Sequence, residues 1–84
     1  MYKIIINKSV LKSLDKIQTI YLPKIKETIN QMAFEPRPNG CVKLVGYDNA
    51  WRIRIGIYRI IYTINDNILT IRVVKIDHRR SVYK

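Results

Sequence analysis

The chain opens on a short apolar run, residues 2–7 (YKIIIN), that alternates poorly but is rich in β-branched side chains. That composition predicts a strand buried on both faces, central in its sheet or next to central. From Ser9 the apolar positions move to Val10, Leu11, Leu14 and Ile17. Spacings of three and four put one stripe on a short helix over residues 9–18, with Ser9 as its N-cap and Lys8, Lys12 and Lys16 turned outward. Pro23 suits the first turn of a second helix, Ile25, Ile29 and Met32 or Ala33 mark its apolar face, and it stops before Pro36 and Pro38. The two helices are expected to form an antiparallel hairpin.

Residues 36–40 (PRPNG) read as a loop from their turn residues, and period-two patterns then predict four strands over residues 42–45, 51–55, 58–64 and 68–76. Turns fall at residues 47–49, at Gly56 and at residues 65–67. Consecutive strands on short connections pair with their neighbours, so the order β-α-α-β-β-β-β implies an α+β fold. Its mainly antiparallel four-strand run carries the helices on one face and leaves the other open.

Length adds one constraint: 84 residues make a single domain, 1–84, in which a chain of this size buries about 60–65 % of its unfolded surface. A hydrophobic content of 48 % with 3 Gly and 3 Pro belongs to a folded chain. No apolar stretch approaches the roughly 18–20 residues of a membrane span, and the first apolar run is too short for a secretory signal. A cytoplasmic protein without a membrane partner is therefore expected. One cysteine, Cys41, and one histidine, His78, are too few for a disulfide or a four-ligand metal site, so Cys41 reads as structural and no metal or other cofactor is expected.

Charge changes the picture most. Sixteen Lys and Arg against six Asp and Glu give +10, which selects an anionic partner. The type of base also shifts along the chain: before residue 37 every base is Lys, while all seven Arg lie from Arg37 onward. The planar Arg fork suits bidentate contact with phosphate, so chemistry is to be sought in the second half. In WRIRIGIYRIIY, residues 51–62, alternation sends Trp51, Ile53 and Ile55 to one face and Arg52 and Arg54 to the other. Across the Gly56 turn, Tyr58, Ile60, Tyr62 and Ile64 share the packed face, and Arg59 falls on the open side beside Arg54. Like charges on neighbouring strands repel, so such a trio is either spread in solvent or kept for an anion.

The run WRIRIGIYRIIY, preceded by PRPNGCVKLVGYDNA and closed by HRRSVYK, resembles the RelE/ParE superfamily of bacterial and archaeal toxins along essentially the whole chain. Carrying the resemblance are Lys43, Leu44 and Gly46, the Arg-x-Arg-x-Gly-x-Tyr-Arg segment and the late His-Arg-Arg. It implies the toxin half of a type II toxin-antitoxin pair, with a separate antitoxin as partner. For the RelE-like branch it further implies a ribosome-dependent endoribonuclease of mRNA, acting by attack of a ribose 2′-hydroxyl on the adjacent phosphate. For the ParE-like branch it implies inhibition of DNA gyrase, and a relative that binds RNA or antitoxin without cutting is a third alternative.

Residue by residue, the resemblance implies that Arg52, Arg54, Arg59 and Arg79 surround the developing phosphorane charge and that Tyr83 stacks on a base. Lys43, Arg80, Lys8 and Lys12 are the implied contacts to RNA, ribosomal RNA included. Two departures bear on proton transfer. Positions where some relatives have lysines hold Arg52 and Arg54, and a guanidinium with pKa above about 12 is a poor base. Some relatives use a glutamate in the hairpin, whereas residues 51–62 contain no carboxylate. His78 is then the expected acid or base, although His78, Arg79 or Arg80 could each occupy the position of the family's late arginine.

Overall fold

Alternation in residues 58–64 organises the architecture. In the computed structural model, which describes residues 1–78, Tyr58, Ile60, Tyr62 and Ile64 turn one side of strand β4 (Tyr58–Asn65) into the core, while Arg59, Ile61 and Thr63 turn the other way and are half-buried. β4 lies antiparallel between β3 (Ala50–Ile55) and β5 (Thr70–His78). The two-residue β2 (Val42–Lys43) pairs antiparallel with β3, and β1 (Lys3–Ile6) runs parallel to β5, giving the order β1-β5-β4-β3-β2. Helix α1 (Lys8–Ser13) tightens into a 3-10 turn at Leu14–Lys16, and α2 (Leu22–Met32) follows. These segments contribute Val10, Ile17, Ile25, Ile29 and Met32 to the core that the sheet completes. The α+β class and the mainly antiparallel run are as the sequence predicts. No described helix is long and apolar enough to cross a membrane.

Several local expectations are corrected. β1 is an edge strand: the β2-to-β5 meander leaves the outer edge of β5 open, and β1 occupies that edge with Ile4 and Ile6 against the core. Helix α1 starts at Lys8, because the Asn7 carbonyl accepts the first bonds, from Val10 N and Leu11 N, and so Ser9 lies inside the first turn and is not its cap. Val10, Leu14 and Ile17 lie inward, whereas Leu11, about 100° round α1 from Val10, is exposed. β5 begins at Thr70, two residues later than expected. Asn65 Oδ1 accepts from the backbone of Asn67 and Ile68, and Leu69 adopts φ 48°, so Ile68 and Leu69 belong to the turn. β2 ends at Lys43, since the chain turns away through Gly46 at φ 87°.

Two features hold the central hairpin. Gly56 is the first residue of the two-residue turn, at φ 58°, and the Tyr21 ring lies so close that an added Cβ would fall 2.2 Å from its nearest carbon. At the other end of the hairpin the Tyr62 hydroxyl donates to the Pro36 carbonyl at 2.9 Å, tying the 36–40 loop to the core. Burial, and next to it the Cys41 thiol, pushes the Tyr62 phenol well above the usual tyrosine value of 10.0.

Gly56→Ala should therefore combine backbone strain with a steric conflict and lower stability by about 1–3 kcal/mol, read from the midpoint of urea unfolding. For Tyr62 the folded value lies above the unfolded one, so the phenol favours the folded state below pH 10.0 and this contribution is lost as pH rises beyond that. Unfolding measured from pH 8 to about 11 should show Tyr62→Phe losing stability less steeply than the wild type at the alkaline end. Its neutral-pH stability should drop by about 1 kcal/mol for the lost bond to Pro36.

Candidate functional site

Pairing of β3 with β4 sets Arg54 directly opposite Arg59, and Arg52 opposite Ile61. Both arginine pairings lie on the face away from the helices, because the alternate residues Ile53, Ile55, Tyr58 and Ile60 are in the core. Arg54 is exposed, and Arg52 and Arg59 are half-buried. Two like charges directly opposed cost about 0.2–1 kcal/mol. The next strand offsets this: β5 places Asp77 opposite Arg59, with Asp77 Oδ2 3.5 Å from Arg59 Nη2 and 3.5 Å from Lys75 Nζ. The Arg59 and Asp77 side chains are only 16 % and 14 % exposed, so this pair is far less screened than a surface one. Arg59 Nε is buried without a hydrogen-bond acceptor among the described residues.

Arg54, Arg59 and Asp77 thus form a row across three strands. Beside it a hollow of about 490 Å³ opens on the same face, with Arg59, Lys75 and Asp77 supplying its charge and Leu44, Tyr47 and Ile61 its apolar wall. Arg52 and Arg54 also border a second hollow, of about 530 Å³, against Lys24, Thr28 and Gln31 of α2. A cationic rim with an apolar wall suits a phosphate whose attached base lies against the sheet.

Other expected site residues are dispersed. Lys43 pairs with Trp51, so the register puts it on the opposite side of the sheet from Arg52. Lys8 and Lys12 are exposed on α1. His78 pairs with Tyr58, and their rings meet edge to face at 5.6 Å, which places His78 on the helix-covered side and not beside Arg54 and Arg59 as expected of an acid or base there. Arg79, Arg80 and Tyr83 lie outside the described residues. The cause of the His78 placement is a β-bulge: the register shifts between Ile61 and Tyr62, with Val74 as the extra residue of β5. Beyond it, the core positions change phase from Ile71 and Val73 to Ile76 and His78, and Asp77 moves onto the arginine face. Asp77 was missed from the sequence, although the spacing of Ile71, Val73 and Ile76 carries the signal of a broken alternation.

At the other end of the sheet, Arg37 pairs with Asp66 at 2.9 Å and lies over the Trp51 ring at 5.2 Å, while the Tyr2 hydroxyl donates to the same carboxylate. Hydrogen bonds from Arg37 and Tyr2 hold Asp66 below the ordinary carboxylate range. This cluster ties the loop after α2 to the β4–β5 turn.

The sequence family described as the ParE toxin of the type II toxin-antitoxin system parDE matches residues 4–83. Across 88 aligned residues the chain is 35 % identical to the candidate toxin RelE1 of Methanocaldococcus jannaschii, covering 99 % of this chain and 96 % of that protein. Its fold superposes on a chain of the archaeal RelE-RelB complex from Pyrococcus horikoshii OT3 with a TM-score of 0.84 at 29 % identity, covering 93 % of this chain and 94 % of that one. The isolated RelE toxin of E. coli shares the fold at 22 % identity and a TM-score of 0.80, with 99 % and 92 % of the two chains covered.

The charge row predicts unequal effects of removing its arginines. Arg54→Ala should leave stability within about 0.5 kcal/mol of wild type or raise it, since it relieves repulsion at an exposed position. Arg59→Ala should cost about 1–2 kcal/mol, between the values for exposed and buried pairs, because it leaves the Asp77 carboxylate with Lys75 alone. Urea midpoints of the two variants decide the matter.

Proposed function

The chain belongs to the RelE/ParE superfamily of type II toxins and is RelE-like, and on that premise we propose that it is a ribosome-dependent endoribonuclease whose arginine face grips a phosphate of messenger RNA. The observation that carries this reading is the direct opposition of Arg54 and Arg59 on a sheet face left clear of the helices. Two arginines directly opposed on adjacent strands can each donate to different oxygens of one phosphate.

The reaction is transesterification. A ribose 2′-oxygen attacks the neighbouring phosphorus, the bond from phosphorus to the 5′-oxygen breaks, and a 2′,3′-cyclic phosphate and a 5′-hydroxyl result. Negative charge grows on the non-bridging oxygens in the transition state, where Arg54 and Arg59 stabilise it; Arg52, two residues before Arg54 on the same face of β3, flanks the RNA backbone. Arg79 as a further cation and Tyr83 as a stacking platform complete the site in this reading, with Arg80 on the RNA backbone. Lys8, Lys12 and Lys43 lie away from the row and suit contacts with ribosomal RNA, which the +10 charge favours.

An antitoxin partner follows from the same charge and from solved relatives that are RelE-RelB complexes. Such a partner silences the toxin by covering the arginine face. The family description names ParE, which keeps inhibition of DNA gyrase as a second reading.

Two assays separate these readings. Mapping mRNA 5′ ends after induction of the chain should reveal new ends within translated codons, and Arg59→Ala should remove both these ends and the growth arrest. Growth arrest with intact messages, together with loss of supercoiling by purified gyrase, would assign the chain to the second reading.

A further inference from the structure

Resting on the nuclease reading, we infer that Asp77 is the proton acceptor for the attacking 2′-hydroxyl, filling on β5 the role that no carboxylate of the 51–62 hairpin can fill. The chain has six acidic residues. Asp66 is held by Arg37 and Tyr2 at the far end of the sheet, Asp15 and Glu27 are on the helical segments, and Glu35 and Asp48 are exposed in loops. Among the described residues Asp77 alone joins the arginine row, and it borders the hollow in which a ribose beside the gripped phosphate would lie. Its carboxylate lies 3.5 Å from Arg59 Nη2, so a phosphate gripped by Arg59 brings the attached ribose up to Asp77.

Other proton acceptors are placed badly. His78 faces Tyr58 across the sheet from the row, and Tyr62 is in the core with its hydroxyl on Pro36. The pairing also gives the step a consistent charge flow. Asp77 takes the 2′-hydroxyl proton as the bond from that oxygen to phosphorus forms; its carboxylate becomes neutral, and the Arg59 guanidinium is released from the ion pair to the non-bridging phosphoryl oxygens. The bond to the 5′-oxygen then breaks, and that oxygen takes its proton from water. Charge lost at Asp77 thus reappears at the phosphate within reach of the same arginine.

The charged and titratable groups around Asp77 are Arg59 of β4, Lys75 of its own strand, Tyr47 across the hollow, and Lys16 and His78 at the strand end. The test is single-turnover cleavage of ribosome-bound mRNA by the full chain and by Asp77→Asn and Asp77→Glu, each from pH 5 to 9, with thermal melting to confirm folding. Asp77→Asn should cut at least about 100-fold more slowly than wild type and with a rate that climbs more steeply with pH, since hydroxide must then take the 2′-hydroxyl proton, and Asp77→Glu should restore the shallower profile. Three outcomes overturn the inference: wild-type cleavage whose rate rises about tenfold per pH unit throughout, the mark of hydroxide as the base, which requires no variant to fold; a folded Asp77→Asn as fast as wild type; or a slowed one whose pH profile parallels wild type, which would make Asp77 only a positioning residue for Arg59. A wild type that cuts nothing brings down the nuclease reading itself, and this inference with it.

Discussion

Register between β4 and its two neighbours is the constraint on which the molecule depends. One row across the sheet is Ile53, Ile60 and Ile76; the adjacent row is Arg54, Arg59 and Asp77. The first is buried in the core and the second is on the face away from the helices, and the pleat makes them inseparable. Burying each isoleucine contributes about 1.5–3 kcal/mol, whereas opposing two arginines costs about 0.2–1 kcal/mol. The core therefore sets the register, and the arginine pair is imposed by it. A slip of one residue would exchange the two rows, which explains how a cationic pair can persist without an anion bound.

Charge is used differently at the two ends of the sheet. Around Asp66, Arg37 and Tyr2 supply a carboxylate with two donors, and the Trp51 ring lies beneath the guanidinium, so the loop after α2 is fastened by satisfied partners. At the Arg59 end the contact to Asp77 is at the outer limit of a hydrogen bond, and a buried donor is left over. Fold stability rests on the core, to which the exposed first cluster fastens a loop. The second has donors that an incoming phosphate can engage, and this separation lets a toxin keep a frustrated surface without unfolding.

Much of this was legible in the residues. Alternation in WRIRIGIYRIIY placed Arg54 beside Arg59 and consigned Tyr58 and Tyr62 to packing, because both strands of the hairpin keep a strict period of two around a two-residue turn. What could not be read came from tertiary competition or from a break in period. β1 looks like an inner strand because its isoleucines are apolar, yet the meander leaves only an edge for it. Leu11 sits three residues before Leu14 at helical spacing, but it lies about 100° round the helix from Val10 and stays exposed. The Val74 bulge moved Asp77 onto the arginine face and His78 off it, reversing the roles that an unbroken strand would assign. Arg79, Arg80 and Tyr83 were expected only through family resemblance, and they lie outside the described residues.

In the proposed reading the Arg54 and Arg59 face holds the scissile phosphate. The most direct test is a structure of the chain on a ribosome carrying mRNA whose scissile ribose lacks the 2′-hydroxyl. One phosphate should lie within hydrogen-bond distance, about 3 Å, of both guanidinium groups, with the attached ribose turned toward Asp77. Messenger RNA lying across the helices, or held with Arg59 still paired to Asp77 and no phosphate at Arg54, would contradict it.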